Sequence, residues 1–490
     1  MAAKAHFLAF DLGAESGRAV LGTLDDTGLE LTEIHRFPNG PVRILDSLHW
    51  DVLRLFQEMK AALAKAAPYD LRGIGVDTWG VDWALLDASG SLVGLPYHYR
   101  DRRTDGMMAR VFEHVPREEV FERTGIQFME INTLYQLYAM SLRQPELLAA
   151  ARTFLMMPDL FNYWLTGQKV CEFTEATTSQ FYDPRAGDWA RGLLERLSLP
   201  HQILAPVVPP GTVLGPLLKS VRDEVGLGAV PVIAPACHDT GSAVVAVPAE
   251  GPDFMYISSG TWALEGIEVS SPVITAETLR HNFTNEGGAG GTFRLLKNIV
   301  GLWLVQECRR EWAREGHEMS YDELTRLAAE AEPFRSLVNP DHPVFMPPGD
   351  MPRRIRAYCQ ETGQPVPETY GQVVRTALES LALRFRMALE QLESIAGRRL
   401  SPIHIVGGGS QNRLLNQLTA DATGRPVIAG PVEATAIGNI IVQAVARGDI
   451  GSLREGRELV RRSAGVREYQ PRDTAPWDEA YERFVRLPVQ

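Results

Sequence analysis

Residues 7–24, Phe7-Leu8-Ala9-Phe10-Asp11-Leu12-Gly13-Ala14-Glu15-Ser16-Gly17-Arg18-Ala19-Val20-Leu21-Gly22-Thr23-Leu24, decide how the rest of the chain is read. Phe7 to Asp11 is a short apolar run ending in a carboxylate, which predicts a strand. Gly13 to Gly17 predicts a turn and Arg18 to Leu24 a second strand. Asp25-Asp26-Thr27-Gly28 then turns the chain into a third strand, Glu30 to Phe37. The layout returns halfway along the chain: Phe254 to Ile257 reads as a strand, Ser258-Ser259-Gly260-Thr261 as a turn and Trp262 to Val269 as a strand. The echo is weak in residue identity and stronger in layout. It predicts two domains of similar build facing each other, residues 1–247 and 248–490, joined at Pro248-Ala249-Glu250-Gly251-Pro252-Asp253.

Elsewhere short apolar runs alternate with helical patterns, the mark of an α/β protein. A hairpin is expected at Trp83 to Gly94, turning at Ala88-Ser89-Gly90-Ser91. Residues 373–396 give the clearest helix. Val374, Leu378, Leu381, Phe385, Leu389, Leu392 and Ile395 recur there at three- and four-residue spacing, with Gly397 placed to cap it. The stretch Leu197 to Leu218 has no charged residue and is long enough to suggest a membrane segment. Pro200, Pro206, Pro209, Pro210 and Pro216 forbid a regular helix, so a rigid surface connection is expected.

The 490 residues suit two or three domains. With 45% hydrophobic and 22% charged residues, they can bury sizeable cores without disulfides or metal. Lys plus Arg is 49 against 61 for Asp plus Glu, a net charge of −12. That balance disfavours nucleic acid or an anionic membrane as partner. Cys171, Cys237, Cys308 and Cys359 are too far apart for a C-x-x-C pair and suit a reducing compartment. The run Met1 to Asp11 is too short for a signal-peptide core, so a soluble, cytoplasmic protein is expected.

The first turn combines Asp11 with Gly13, Ser16 and Gly17. Glycines let backbone amides approach a phosphate, Ser16 adds a hydroxyl donor, and Asp11 can hold a magnesium ion through water. The same residues also suit an ordinary tight hairpin. So does the second turn, Ser258 to Thr261, yet two such turns at corresponding places in two half-chains suit a nucleotide's phosphates clamped between domains. These are not P-loops. No Gly-Lys dipeptide occurs, nor G-x-G-x-x-G, nor HExxH. Asp239 follows the apolar run Val230 to Ile233 within Ala234-Pro235-Ala236-Cys237-His238-Asp239-Thr240-Gly241, where a carboxylate can be held at the mouth of a cleft. It equally suits the N-cap of a helix over Thr240 to Val247, and the two roles are compatible. Gly407-Gly408-Gly409 follows an expected strand, Ile403 to Val406, and precedes a helix starting near Leu414. Three glycines suit close approach by a flat ligand such as a nucleoside, where a plain turn needs one. Cys237 reads as a small packed residue rather than a nucleophile.

Phe10 to Arg18, Cys237 to Thr240, Ser258 to Trp262 and the triple glycine occur in an order that resembles the FGGY carbohydrate kinases. Val76-Asp77-Thr78-Trp79-Gly80-Val81-Asp82, Tyr99-Arg100-Asp101, Thr284-Asn285-Glu286-Gly287-Gly288 and Leu296-Lys297-Asn298 to Trp303 support it, over residues 6–446. The resemblance implies an actin-like ATPase fold, two ribonuclease-H-like domains with the active site in the cleft between them. It implies transfer of the ATP γ-phosphoryl group to O1 of L-rhamnulose, with Mg²⁺ and Asp239 as general base. L-Fuculose and D-xylulose are the alternatives within the family. Gly80, His238, Asp239, Thr240 and Asn298 match sugar positions; Ala14, Glu15, Ser16, Gly17, Arg18, Thr261, Gln306 and Gly408 match ATP positions. A monomer or homodimer is expected. From a different class, a non-catalytic actin-like nucleotide switch is disfavoured, since it would need no base such as Asp239. Glu15 stands where a small residue is usual and is expected to face solvent. Residues 310–370 match poorly and receive no site.

Overall fold

In the computed structural model, which describes residues 4–488, Ala5–Leu12 and Ser16–Asp25 pair antiparallel with Leu12 opposite Gly17. The first three residues of the Met1 to Asp11 run lie outside the described residues. Ser16–Asp25 continues into Gly28–Pro38, the third strand of the reading. Gly17 is required there, because a Cβ would run into the Phe37 ring. On the other side Ala5–Leu12 pairs in parallel with Leu71–Thr78, which meets Pro231–Ile233 in parallel, and Val213–Pro216 closes the sheet antiparallel. Phe7, Leu8, Ala9, Phe10 and Leu12 are all fully buried, as a strand covered on both faces demands.

This sheet belongs to the first of two compact units, made of the chain up to Pro248 with Glu268–Leu295 and Ala434–Ser463. The last of these brings the helix Ala434–Arg447 onto Ala5–Leu12 and Leu71–Thr78 and against Asp239–Val245. The approach is close enough that a Cβ on Gly438 would overlap the Ser242 carbonyl oxygen. Asn439 and Gln443 occupy the space that side chains on Gly75 and Gly73 would need. Their amides donate to Asp77 Oδ2 at 2.5 Å and to the Leu8 carbonyl at 3.1 Å.

Unit 2 comprises Ala249–Ile267, Leu296–Glu433 and the chain from Ala464 onward. Its strands repeat the order of unit 1. Met255–Ser259 pairs antiparallel with Trp262–Val269, beyond which lies Phe293–Val300. On its other side Met255–Ser259 meets Ile403–Val406 and then Val427–Ala429, both parallel, before the antiparallel Arg467–Tyr469. The echo in layout is therefore an echo in topology. The long helix is Tyr370–Ala396, ending on Gly397 at φ 63°. It starts earlier than the apolar repeat suggests because Thr369 and Gln372 form a reciprocal capping box.

The Asp87-to-Ser91 turn forms as read, with Asp87 Oδ1 accepting from the Ser89 and Ser91 amides, although Trp83–Leu86 takes Thr153–Met156 as its ladder partner. The expectation for Leu197 to Leu218 is corrected. This stretch supplies the edge strand Val213–Pro216 and a short parallel pair, Val207–Val208 with Cys171–Glu172, and it buries Leu199, Leu204, Leu214 and Leu217. Proline rules out a helix but is tolerated on a sheet edge, where a missing N–H costs nothing. All four cysteines are free and buried. Among the described residues no helix is long and apolar enough to cross a membrane.

Unit 2 also buries a charge cluster. Arg384 of the long helix lies 3.5 Å from Glu265 and donates to Asp341 at 2.8 Å. Desolvation, only partly opposed by Arg384, pushes the Glu265 carboxyl from 4.5 up to about 8. The folded state thus holds a proton that the unfolded chain releases, so this stability is full below pH 4.5 and is lost as pH rises through about 8. Glu265→Gln should flatten the fall in unfolding midpoint between about pH 5 and about pH 8, read by calorimetry. In unit 1, Gly438→Ala should cost at least ~1–3 kcal/mol in denaturant unfolding, since backbone opposes the new methyl group.

Candidate active site

The apolar strand Pro231–Ile233 leads through Ala234, Ala236 and Cys237, all buried, into the helix Asp239–Val245. His238, not Asp239, holds the N-cap position, and the helix ends two residues before Val247. Asp239 Oδ1 accepts from the amide of the very next residue, Thr240, at 2.5 Å, and from the Thr240 hydroxyl at 3.1 Å. A cap must reach two or three residues ahead, so Asp239 is the first helical residue instead. This leaves its carboxylate 31% exposed beside a buried His238 and Thr240.

His238 Nε2 lies 3.5 Å from Asp239 Oδ1. A Cβ on Gly80 would sit 3.3 Å from His238 Nε2 and 3.3 Å from Thr178 Cγ2, so a side chain at 80 would fill the space beside the ring. Gly80, His238, Asp239 and Thr240 are therefore brought together within unit 1. Desolvation raises the Asp239 carboxyl above its usual range; the His238 ring opposes the shift and the Asp11 charge adds to it. Gly80 is itself anchored from behind. Buried Asp82 accepts from the Trp50 and Trp79 indoles at 2.5 and 3.0 Å and from Gln136 at 2.9 Å. Burial nevertheless raises the Asp82 carboxyl to about 6.

Two partners of His238 escaped the sequence reading. Its Nδ1 is 3.2 Å from Glu286 Oε2 and 3.0 Å from Arg294 Nη2, and the two partners lie 3.2 Å from each other. Arg294 is fully buried and also donates to the Gly287 carbonyl at 2.7 Å. Glu286 stood inside a motif that supported the resemblance, and Arg294 was the one charge in the run Phe293 to Leu296. Either could have been singled out on those grounds.

The first turn is closed by the Gly13 amide donating to the Ser16 carbonyl at 3.0 Å, with Glu15 exposed as expected. Asp11 Oδ2 pairs with Arg18 at 2.5 Å. Next to Asp11 on the parallel strand stands Asp77, fully buried. Desolvation first, and then the Asp11 charge, push its carboxyl well above the usual range.

In unit 2 the second turn is closed by the Gly260 amide donating to the Trp262 carbonyl at 2.8 Å. The Thr261 carbonyl accepts from the Gly301 amide at 3.1 Å, and Gly301 is demanded because a Cβ would meet backbone of Trp262 at 2.6 Å. Gln306 lies one turn into the helix Trp303–Arg314; its Oε1 is buried with no hydrogen-bond partner among the described residues. Asn298 is half-buried on Phe293–Val300. The triple glycine has a different origin from the one expected. Gly407, at φ 82°, and Gly409 are needed because side chains there would meet Ser259, whereas Gly408 alone faces open space. The turn runs into a short 3₁₀ segment, Gly408–Gln411, before the helix Arg413–Thr423 capped by Asn412.

Comparison with known proteins agrees with this arrangement. Residues 6–246 match the N-terminal domain of the FGGY family of carbohydrate kinases and residues 255–447 its C-terminal domain. A rhamnulokinase of Bacteroides thetaiotaomicron is 47% identical over 98% of this chain and 99% of its own. The rhamnulokinase of Bacillus subtilis is 38% identical over 95% and 96%. Among solved structures, xylulose kinase from Rhodospirillum rubrum superposes with a TM-score of 0.80 at 21% identity over 98% of both chains. Plasmodium falciparum glycerol kinase with ADP gives 0.78 at 14% identity over 98% of each. The repeated strand order is thus the two-domain, actin-like ATPase fold of these kinases. With both halves matched and relatives aligned end to end, the chain belongs to the FGGY family of carbohydrate kinases.

Proposed function

We propose that this sugar kinase transfers the γ-phosphoryl group of ATP to O1 of L-rhamnulose, giving L-rhamnulose 1-phosphate and ADP in L-rhamnose catabolism in the cytoplasm. The observation that carries the choice of sugar is identity of 38–47% with rhamnulokinases over nearly the whole of both chains. Asp239 is the general base. A sugar hydroxyl is a weak nucleophile, so its proton passes to a carboxylate as O1 bonds to the γ-phosphorus and the bond to ADP breaks. The half-buried carboxylate of Asp239, raised above the usual carboxylate range by desolvation and fixed by Thr240, suits that task. Gly80, His238, Thr240 and Asn298 hold the sugar hydroxyls. Fixed polar partners of this kind discriminate sharply against sugars that lack a matching hydroxyl.

Ala14 to Arg18, Thr261, Gln306 and Gly408 hold ATP. Gln306 Oε1, buried without a partner among the described residues, is an acceptor available to a donor on the nucleotide, and open Gly408 lets a ligand approach its backbone. Mg²⁺ enters with ATP and neutralises phosphate charge. Among the described residues no three His, Cys, Asp or Glu side chains gather to hold a bare ion; Asp11, which also pairs with Arg18, would hold the ion that arrives with ATP through water.

ADP release should depend on the acceptor, with L-rhamnulose far ahead of L-fuculose, D-xylulose and glycerol. Preference for another ketose would move the specificity and keep the mechanism. Asp239→Asn should lower kcat by ~10²–10⁴-fold while ATP binding, followed by calorimetry, is retained. Because the base must be ionised and burial raises its carboxyl above 3.8, kcat should fall on acidification at a higher pH than an ordinary carboxylate gives. An acid limb at the ordinary position would count against Asp239.

A further inference from the structure

The strongest unexplained feature of unit 1 is a set of buried side chains behind the catalytic turn. Glu172 and Thr174 are both fully buried, as is Cys237. The Cys237 amide donates to Glu172 Oε2 at 3.0 Å, and the His238 amide donates to Thr174 Oγ1 at 3.0 Å. The Thr174 hydroxyl in turn donates to Glu172 Oε2 at 2.5 Å. That fixes the direction of the chain: Thr174 has its lone pair on His238 and its proton on Glu172. From the opposite side the Thr78 amide donates to the Cys237 carbonyl at 2.8 Å. The Cys237–His238 peptide, one residue before Asp239, is therefore held at its N–H and its carbonyl, and the N–H of the preceding peptide is held as well.

The same stretch reaches two more segments. Thr177 Oγ1 accepts from the Gly287 amide at 2.8 Å, next to Glu286, and Thr178 Oγ1 accepts from the Val81 amide at 3.0 Å, next to Gly80. Val81 sits at a φ of 67°, a conformation a β-branched residue avoids unless it is held there. One run, Glu172 to Thr178, thus fixes four backbone amides on three separate segments, two adjoining residues assigned to the sugar and the third adjoining Glu286, a partner of His238.

We propose that Glu172 and Thr174 are positioning residues for phosphoryl transfer: they set the Cys237–His238 peptide and through it the carboxylate of Asp239. This rests on the assignment of Asp239 as the base. Neither residue needs to touch substrate. Their effect is geometric, and a base displaced by about 1 Å loses ~10²-fold in rate.

Thr174→Val keeps the shape of the side chain and removes the acceptor, so kcat should drop ~10-fold or more while KM for ATP stays unchanged. Thr174→Ser restores the hydroxyl and should recover most of kcat even though it loses a packed methyl group. Thr419→Val, at a buried helix threonine of unit 2 whose hydroxyl donates to the Leu415 carbonyl, should lower the unfolding midpoint and leave kcat alone. In the Asp239→Asn background Thr174→Val should cause no further loss, since the group it positions is gone. Should Thr174→Val not fold, Glu172→Met carries the same test, because it removes the carboxylate oxygen that accepts from the Cys237 amide and the Thr174 hydroxyl. Unchanged kcat in either variant, failure of serine to rescue, or an additive loss with Asp239→Asn overturns the proposal. Full turnover by Asp239→Asn removes the base and this proposal together; normal turnover by Thr174→Val beside an inactive Asp239→Asn removes this proposal alone.

Discussion

The peptide between Cys237 and His238 is the point at which the architecture of unit 1 is tied to its chemistry, and a buried carboxylate holds it. Glu172 is fully buried, and desolvation raises its carboxyl from 4.5 to about 7 despite the donors converging on it. Leaving a carboxylate in such a place costs free energy unless backbone and hydroxyl donors satisfy it. Here the satisfaction is directional. Three donors come from its own run, the Thr174 and Glu175 amides and the Thr174 hydroxyl, and the fourth, the Cys237 amide, comes from the turn that carries His238 and Asp239, so satisfying Glu172 also fixes that turn. Asp159 and Glu175 share the neighbourhood, and desolvation raises both, with the charge of Glu172 adding to each and that of Asp159 adding to Glu175.

Much of the fold could be read from local pattern. The continuous apolar run Phe7 to Phe10 is what a strand covered on both faces requires, and it became the centre of the unit 1 sheet. The repeat of strand, turn and strand at Phe254 identified a second sheet of the same order, although almost no residues are shared. What failed to show was set by distant contacts. Nothing near Leu197 to Leu218 announces an edge strand, because its partner Pro231–Ile233 arrives later in the chain. Nothing in Ala434–Arg447 says that it completes the first unit rather than the second. The need for glycine at 438 is visible only once Ser242 is in place.

The site shows the same division. The family resemblance grouped Gly80, His238, Asp239 and Thr240 with Asn298, and the first four lie close to one another in unit 1. The reasons were partly misread. Asp239 accepts from its own neighbour rather than capping the helix, and two of the three glycines at 407–409 answer to Ser259 rather than to a ligand. Glu286 and Arg294 were missed because a buried ion pair on a strand leaves no period in the sequence, only an isolated charge among apolar residues.

The return of Ala434–Arg447 to unit 1 bears on how the molecule is made. A nascent chain that has reached Pro248 has emerged with the strands Ala5–Leu12 and Leu71–Thr78 but not the helix that packs on them. Gly73 and Gly75 then present bare backbone, and the Leu8 carbonyl has yet to meet Gln443. That surface stays open on the ribosome until most of the remaining sequence has been synthesised, so the first unit closes late rather than early. Folding of this kind is dominated by contacts between distant parts of the chain, which is slow and leaves apolar surface exposed in the interval. The vectorial order of synthesis, which lets many multidomain proteins fold from the N-terminus forward, gives this chain little advantage, and the cell's holding chaperones have a defined patch to protect.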